Sequence, residues 1–218
     1  SKIVKLPVSD FGMPKFEIKI RWILIAILLP CIIKGIYVLI FNGEYVTSNM
    51  NGNEIFNTLS AGVAFTGIAA GFVEEMVFRG VILNALKKRW NMKVAVIVPS
   101  MLFGIVHVLG QDFSIGSCLL VIIAGTMVGV MFSMIAIESG SVWNSGIVHA
   151  IWNIVIIGGG LAIGEKMDPY SVMTYVLDSK VFAITGGEFG IESSVISLIG
   201  YIIVAGIAFI MIKSNRKN

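Results

Sequence analysis

Long apolar runs separated by short polar stretches set the pattern of this chain. Six stand out, at about 20–41, 60–86, 94–109, 115–137, 141–160 and 195–212. A helix needs ~20 mostly apolar residues to cross the hydrocarbon core of a bilayer. An open strand in lipid leaves its backbone groups unsatisfied, so all six runs are predicted as helices. The expected fold class is therefore all-α: a polytopic transmembrane helix bundle of about six spans, forming one integral-membrane domain over residues 1–218. Gly67-x-x-x-Gly71 and Gly125-x-x-x-Gly129 put small residues one turn apart. That spacing predicts close helix approach and is read as packing only.

Composition sharpens the picture. The 218 residues are 56% hydrophobic and only 13% charged, with a mean hydropathy of +0.91. Soluble domains carry roughly 25% charged residues, so a soluble domain is excluded. Cys31 and Cys118 both fall in apolar runs and are expected as small core residues, not as a disulfide or metal knuckle. Residues 1–19 are polar and mixed in charge, which predicts no cleavable signal peptide. The chain opens on Ser1, which gives the expectation of a trimmed start.

Loop charges predict the orientation. With the N-terminus inside, the inner side carries Lys2, Lys5, Lys15, Lys19, Arg21, Lys87, Lys88, Arg89, Lys93, Lys213, Arg216 and Lys217. The outer side carries Lys166 and Lys180, among Glu44, Glu54, Asp112 and the acidic residues of a long loop at 161–194. Twelve basic residues against 2 place both termini in the cytoplasm by the positive-inside rule.

Four charges remain inside the apolar runs: Lys34, Glu74, Glu75 and Arg79. Lys34 lies in the outer part of its run, where its long stem is expected to snorkel to the interface. The others sit in "GFVEEMVFRG" at 71–80. Intramembrane ionisable groups face the bundle interior and mark function. Glu75 and Arg79 are one turn apart with the acid first, the favoured order for a pair. A buried salt bridge with a purely structural role is the plain reading of those two. Glu74 points about 100° away around the helix and needs a partner from elsewhere.

The chain has 2 histidines, His107 and His149, and each ends a Gly-Ile-Val-His tetrapeptide in an apolar run. Asn153 follows His149 by four residues, on the same helix face. At ~1.5 Å rise per residue above the inner loops, Glu74 lies ~20 Å up, His107 ~21 Å, His149 ~14 Å and Asn153 ~20 Å. Four polar groups from three helices are thus predicted to reach similar depth. The same estimate requires residues 55–66 to project past the membrane or the second helix to tilt strongly.

A carboxylate and an imidazole sharing a water make a general base. A second His with an Asn offers N–H donors to a developing oxyanion. Those parts suffice to hydrolyse a peptide bond without a covalent intermediate. Ser100, Ser114 and Ser117 lie near His107, but none has a nucleophile-elbow setting. Two His and a Glu (Glu74, His107, His149) are also a legitimate zinc set, weakened by the absence of HExxH.

EExxxR (Glu74, Glu75, Arg79), FxxxH (Phe103, His107) and HxxxN (His149, Asn153), in that order, resemble the motifs of the CAAX-protease and bacteriocin-processing family. This family, CPBP or Abi, consists of intramembrane endopeptidases, and the resemblance covers about 60–160, the expected catalytic core. It implies that Glu74 activates water, helped by His107. It implies that His149 and Asn153 stabilise the oxyanion, and that Glu75, Arg79 and Phe103 support the site. It implies a metal-free, glutamate-dependent mechanism with no cofactor required, zinc being the alternative. The loop "ITGGEFGIESS" at 184–194 is similar to a segment before the last span of bacterial members, and either shapes substrate access or is an ordinary Gly-rich connection.

The expected function is therefore an intramembrane endopeptidase acting on a membrane-associated or lipidated peptide or protein. The expected partners are membrane lipid and that substrate, with no nucleic acid. The alternatives are an immunity or scaffold protein of the same fold that acts by binding, and a proton relay, for which no inverted repeat is evident. The substrate is open between a prenylated CAAX protein and a bacteriocin or peptide leader. The high Ile, Met, Asn and Lys content hints at an AT-rich bacterium, hence a bacterial cell membrane.

Overall fold

The computed structural model describes residues 13–14 and 16–215. The basic residues Lys2, Lys5, Lys15, Arg216 and Lys217, and most of the segment tested for a signal peptide, lie outside the described residues. All six apolar runs are helical: α1 (Ile20–Ile40), α2 (Gly52–Arg89), α3 (Met92–Val106), α4 (Ile115–Ser139), α5 (Val142–Ile157) and, after the short α6 (Phe182–Thr185), α7 (Val195–Asn215). Four of them, α1, α2, α4 and α7, are long and apolar enough to cross a membrane; α3 and α5 are shorter apolar helices.

Helix α2 opens on a capping box. Asn51 accepts from the backbone N–H groups of Asn53 and Glu54, and the Glu54 carboxylate accepts from the N–H of Asn51. The helix then runs for 38 residues, roughly 57 Å at 1.5 Å per residue. Its first turns, Gly52–Ala61, bury no residue against the bundle. Two π-helical stretches, Gly62–Ala69 and Met76–Ile82, flank the α-helical turns Ala70–Glu75. Such widened turns are frequent at functional sites, and here they bracket the two adjacent glutamates.

Glycines set how closely the helices approach. A Cβ on Gly71 would lie 2.8 Å from the Ala150 backbone, and one on Gly67 2.3 Å from the Ile154 side chain, so α2 packs directly on α5. A Cβ on Gly125 would lie 2.6 Å from Gly104 Cα and one on Gly129 2.9 Å from Ser100 Cα, which brings α4 onto α3. Both small-residue pairs thus do the packing expected of them.

The loops are not all irregular, and the all-α expectation needs a correction. Strands β1 (Gly43–Thr47), β2 (Leu161–Gly164) and β3 (Met173–Leu177) form a small sheet in the order β1-β3-β2, antiparallel between β1 and β3 and parallel between β2 and β3. The segments are only four or five residues long, too short to register against the apolar runs, and their pairing is long-range. The sheet lies at the end of the bundle where α1 and α5 finish. There Tyr175 Oη donates to Phe41 O, and the Asp178 N–H donates to Asn42 O.

The opposite end is closed by polar contacts. Arg21 Nη2 lies 2.5 Å from Glu138 Oε1, Trp22 Nε1 donates to Glu138 Oε2, and the Lys19 N–H donates to Asn144. They tie the start of α1 to the α4–α5 turn.

Two placements differ from expectation. Cys31 is exposed on the outer face of α1, not in the core; Cys118 is half-buried, and both are free. Lys34 does not simply snorkel: its ammonium donates to the carbonyls of Val155, in the last turn of α5, and Leu161. A helix C-terminus exposes unpaired carbonyls and negative dipole, which a lysine satisfies.

Candidate active site

The two glutamates of α2 occupy different environments. Glu75 and Arg79 have no exposed side-chain surface and pair at 2.7 Å (Oε1–Nη1). Arg79 Nη2 also donates to Gly129 O at 3.0 Å, pinning α2 to α4. Its guanidinium carbon lies 4.6 Å from the Phe103 ring centre and 5.3 Å from that of Phe132. A buried guanidinium lined by π faces and bonded at both ends is a rigid strut. Glu74, one residue earlier, keeps 34% of its side chain exposed and faces a cavity.

That cavity, about 170 Å³, is lined by Glu74, His107, His149 and Asn153, together with Phe103, Phe132, Trp152, Phe189 and Glu192. The structure therefore brings the four polar residues singled out in the sequence to one space. Phe103 joins them, its ring steeply inclined to those of Phe132 and His149 (83° and 71°) and its centre 4.6 Å from that of His107. Glu75 and Arg79 lie behind the wall, not in it.

Hydrogen bonds orient the imidazoles. His107 caps the C-terminus of α3, and its Nδ1 lies 2.6 Å from Phe103 O. A carbonyl only accepts, so Nδ1 carries the proton and Nε2 of the neutral ring holds the lone pair. His149 Nδ1 lies 3.2 Å from Glu75 Oε1, and its Nε2 lies 3.8 Å from Glu74 Oε2. The ring is stacked on Phe132 at 4.6 Å and 18°. His149 is thus held between two carboxylates, and its Nε2 is the group that faces Glu74 from another helix. His107 approaches from another wall. Asn153 Nδ2 donates to Thr66 O, which leaves its second amide hydrogen for the cavity.

Sequence reasoning missed part of this set. Phe132 sits in a uniformly apolar run, with nothing to distinguish it from lipid-facing neighbours. Glu192 comes from the 184–194 loop, on a short 3-10 turn (Ile191–Ser193) that Ser193 Oγ and Ser197 Oγ fasten to Gly186 O and Ile191 O. Its carboxylate accepts from Trp152 Nε1 at 3.1 Å, and its carbonyl from Tyr201 Oη. Burial raises the Glu192 carboxyl from its ordinary value. Among the described residues no three His, Cys, Asp or Glu side chains are grouped closely enough to hold a metal ion. Each imidazole makes its hydrogen bond through Nδ1, which leaves Nε2 as the remaining ring nitrogen of both His107 and His149.

The helical bundle and its carboxylate–imidazole cavity define an integral membrane protein with a site suited to water activation. The family model described as type II CAAX prenyl endopeptidase Rce1-like matches residues 56–155, so the chain carries a domain of that family, part of the CPBP group. Protease is thereby the class of activity supported. No curated protein and no solved structure gives a significant match.

Proposed function

We propose that this protein is an intramembrane endopeptidase in which Glu74, with His107, activates water against a peptide bond. The observation that carries the reading is the contrast between the adjacent glutamates: Glu75 is sealed against Arg79 and His149, while Glu74 opens into the cavity. A partly exposed carboxylate in a cavity with room for several waters is placed to accept a proton. His107 offers Nε2 to the same water. Attack forms the C–O bond as the water proton passes to Glu74. The oxyanion takes hydrogen bonds from His149, whose ring is oriented by the Nδ1 contact with Glu75, and from the free Asn153 amide hydrogen. The C–N bond then breaks as Glu74 returns its proton to the leaving nitrogen. Glu75, Arg79 and Phe103 keep these groups in place. The substrate class is a membrane-associated or lipidated peptide, and the site is a bacterial cell membrane.

Cleavage of a peptide library by the purified protein in detergent, with and without a strong zinc chelator, tests this beside Glu74→Ala. Chelator-resistant cleavage that vanishes in the variant is expected. Full activity in Glu74→Ala sinks the proposal, and chelator-sensitive cleavage replaces water activation by Glu74 with a zinc site.

A further inference from the structure

A second, larger opening adjoins the cavity. A cleft of about 730 Å³ runs between the sheet and the 182–192 loop and shares Ile157, Phe189 and Glu192 with the cavity wall. Its outer lining includes the exposed residues Glu165, Lys166, Pro169, Phe182 and Glu188, so it is open at the sheet end. The neck is held firmly. Trp152 fixes the Glu192 carboxylate, and the Ser114 N–H donates to Glu188 Oε2 on the same loop.

The charges of the two bundle ends differ. Lys19, Arg21, Lys87, Lys88, Arg89, Lys93 and Lys213 gather where α1, α3 and α5 begin and α2, α4 and α7 finish. The sheet end has Lys166 and Lys180 among Glu44, Glu54, Glu165, Asp168, Asp178 and Glu188. Basic loops stay in the cytoplasm, so the sheet end faces away from it.

We propose that the cavity is entered from the non-cytoplasmic face, through this cleft and past the Phe189–Glu192 neck, so that its substrate is an exported peptide and not a cytoplasmic one. That choice of substrate rests on the endopeptidase reading; the entry path does not. The cleft lining is mixed, with Ser117, Thr174 and Thr185 beside Ile163, Met167 and Phe182, which suits an extended peptide that brings both backbone polar groups and apolar side chains. Its carboxylates outnumber its single ammonium, Lys166. That balance disfavours an acidic peptide.

The test is thiol access in intact cells, with Cys31 and Cys118 replaced by Ser. Single cysteines are placed at the cleft mouth (Lys166→Cys), the neck (Phe189→Cys), the cavity (Thr66→Cys) and the exposed first turn of α3 at the basic end (Lys93→Cys). A small membrane-impermeant methanethiosulfonate is expected to label the first three before lysis and Lys93→Cys only after it. Labelling of Lys93→Cys alone in intact cells reverses the orientation and overturns the proposal. Labelling of Lys166→Cys with both Phe189→Cys and Thr66→Cys protected overturns the entry path, and two inner positions guard against one misfolded variant. Labelling reads access alone. A protein that labels as expected yet cleaves no peptide refutes the endopeptidase reading and leaves the entry path standing.

Discussion

Glu75 on α2 and His149 on α5, 74 residues apart in sequence, meet at 3.2 Å inside the bundle, and the same Glu75 oxygen receives Arg79. One buried carboxylate therefore sets the tautomer of an imidazole and neutralises a guanidinium. The structural reading of the Glu75–Arg79 pair and a supporting role at the site are not alternatives here. The strut that joins helices also aims the His149 ring.

Removing one member of that strut is expected to be costly. Glu75→Ala leaves Arg79 charged and uncompensated in the interior, which costs about 3–5 kcal/mol for a broken buried pair. Thermal unfolding in detergent checks it. The double variant Glu75→Gln/Arg79→Met should unfold at a higher temperature than either single, because no unpaired charge remains.

Glu74→Gln is expected to keep the fold and lose the chemistry. Its side chain lines the cavity, and its contact with His149 Nε2, at 3.8 Å, is longer than the 3.2 Å that Glu75 makes to the same ring. Peptide cleavage should fall by about 10²–10⁴, the range for removal of a general base, with the melting temperature unchanged. A large drop in melting temperature would show that Glu74 is structural.

Gly125→Val tests the seat of His107. The added side chain meets Gly104 across the α3–α4 contact. Overpacking of this kind costs typically 1–3 kcal/mol. It also shifts α3, whose last turn carries His107. Loss of both stability and cleavage is expected. The conservative check is Gly116→Ala, where a Cβ meets nothing closer than 3.6 Å.

Stability should fall with rising pH in a way that Glu192 accounts for. Its carboxyl is raised, chiefly by burial. Between the ordinary carboxylate value and the raised one the unfolded chain is ionised and the folded chain is not. The unfolded state then binds fewer protons, so unfolding becomes easier as pH increases. Glu192→Gln should flatten this part of a melting-temperature profile taken between pH 4 and pH 8. An unchanged slope would assign the dependence to another group.

Much was legible in the chain because it is local. Apolar runs longer than a helical turn demand helices in lipid, and the rise per residue placed Glu74, His107, His149 and Asn153 near one depth before any contact was known. The adjacent glutamates were equally legible as different, since neighbours on a helix point about 100° apart. Only the tertiary structure decided which faces turn inward. In a membrane chain the lipid side and the core side are equally apolar, so nothing in the sequence sends Cys31 outward and Phe132 onto His149. The same holds for the sheet of three short strands from distant loops, for Glu192 at the cavity neck, and for Glu75 reaching His149. Each depends on pairing between segments far apart in sequence, and hydrophobicity alone carries no information about such partners.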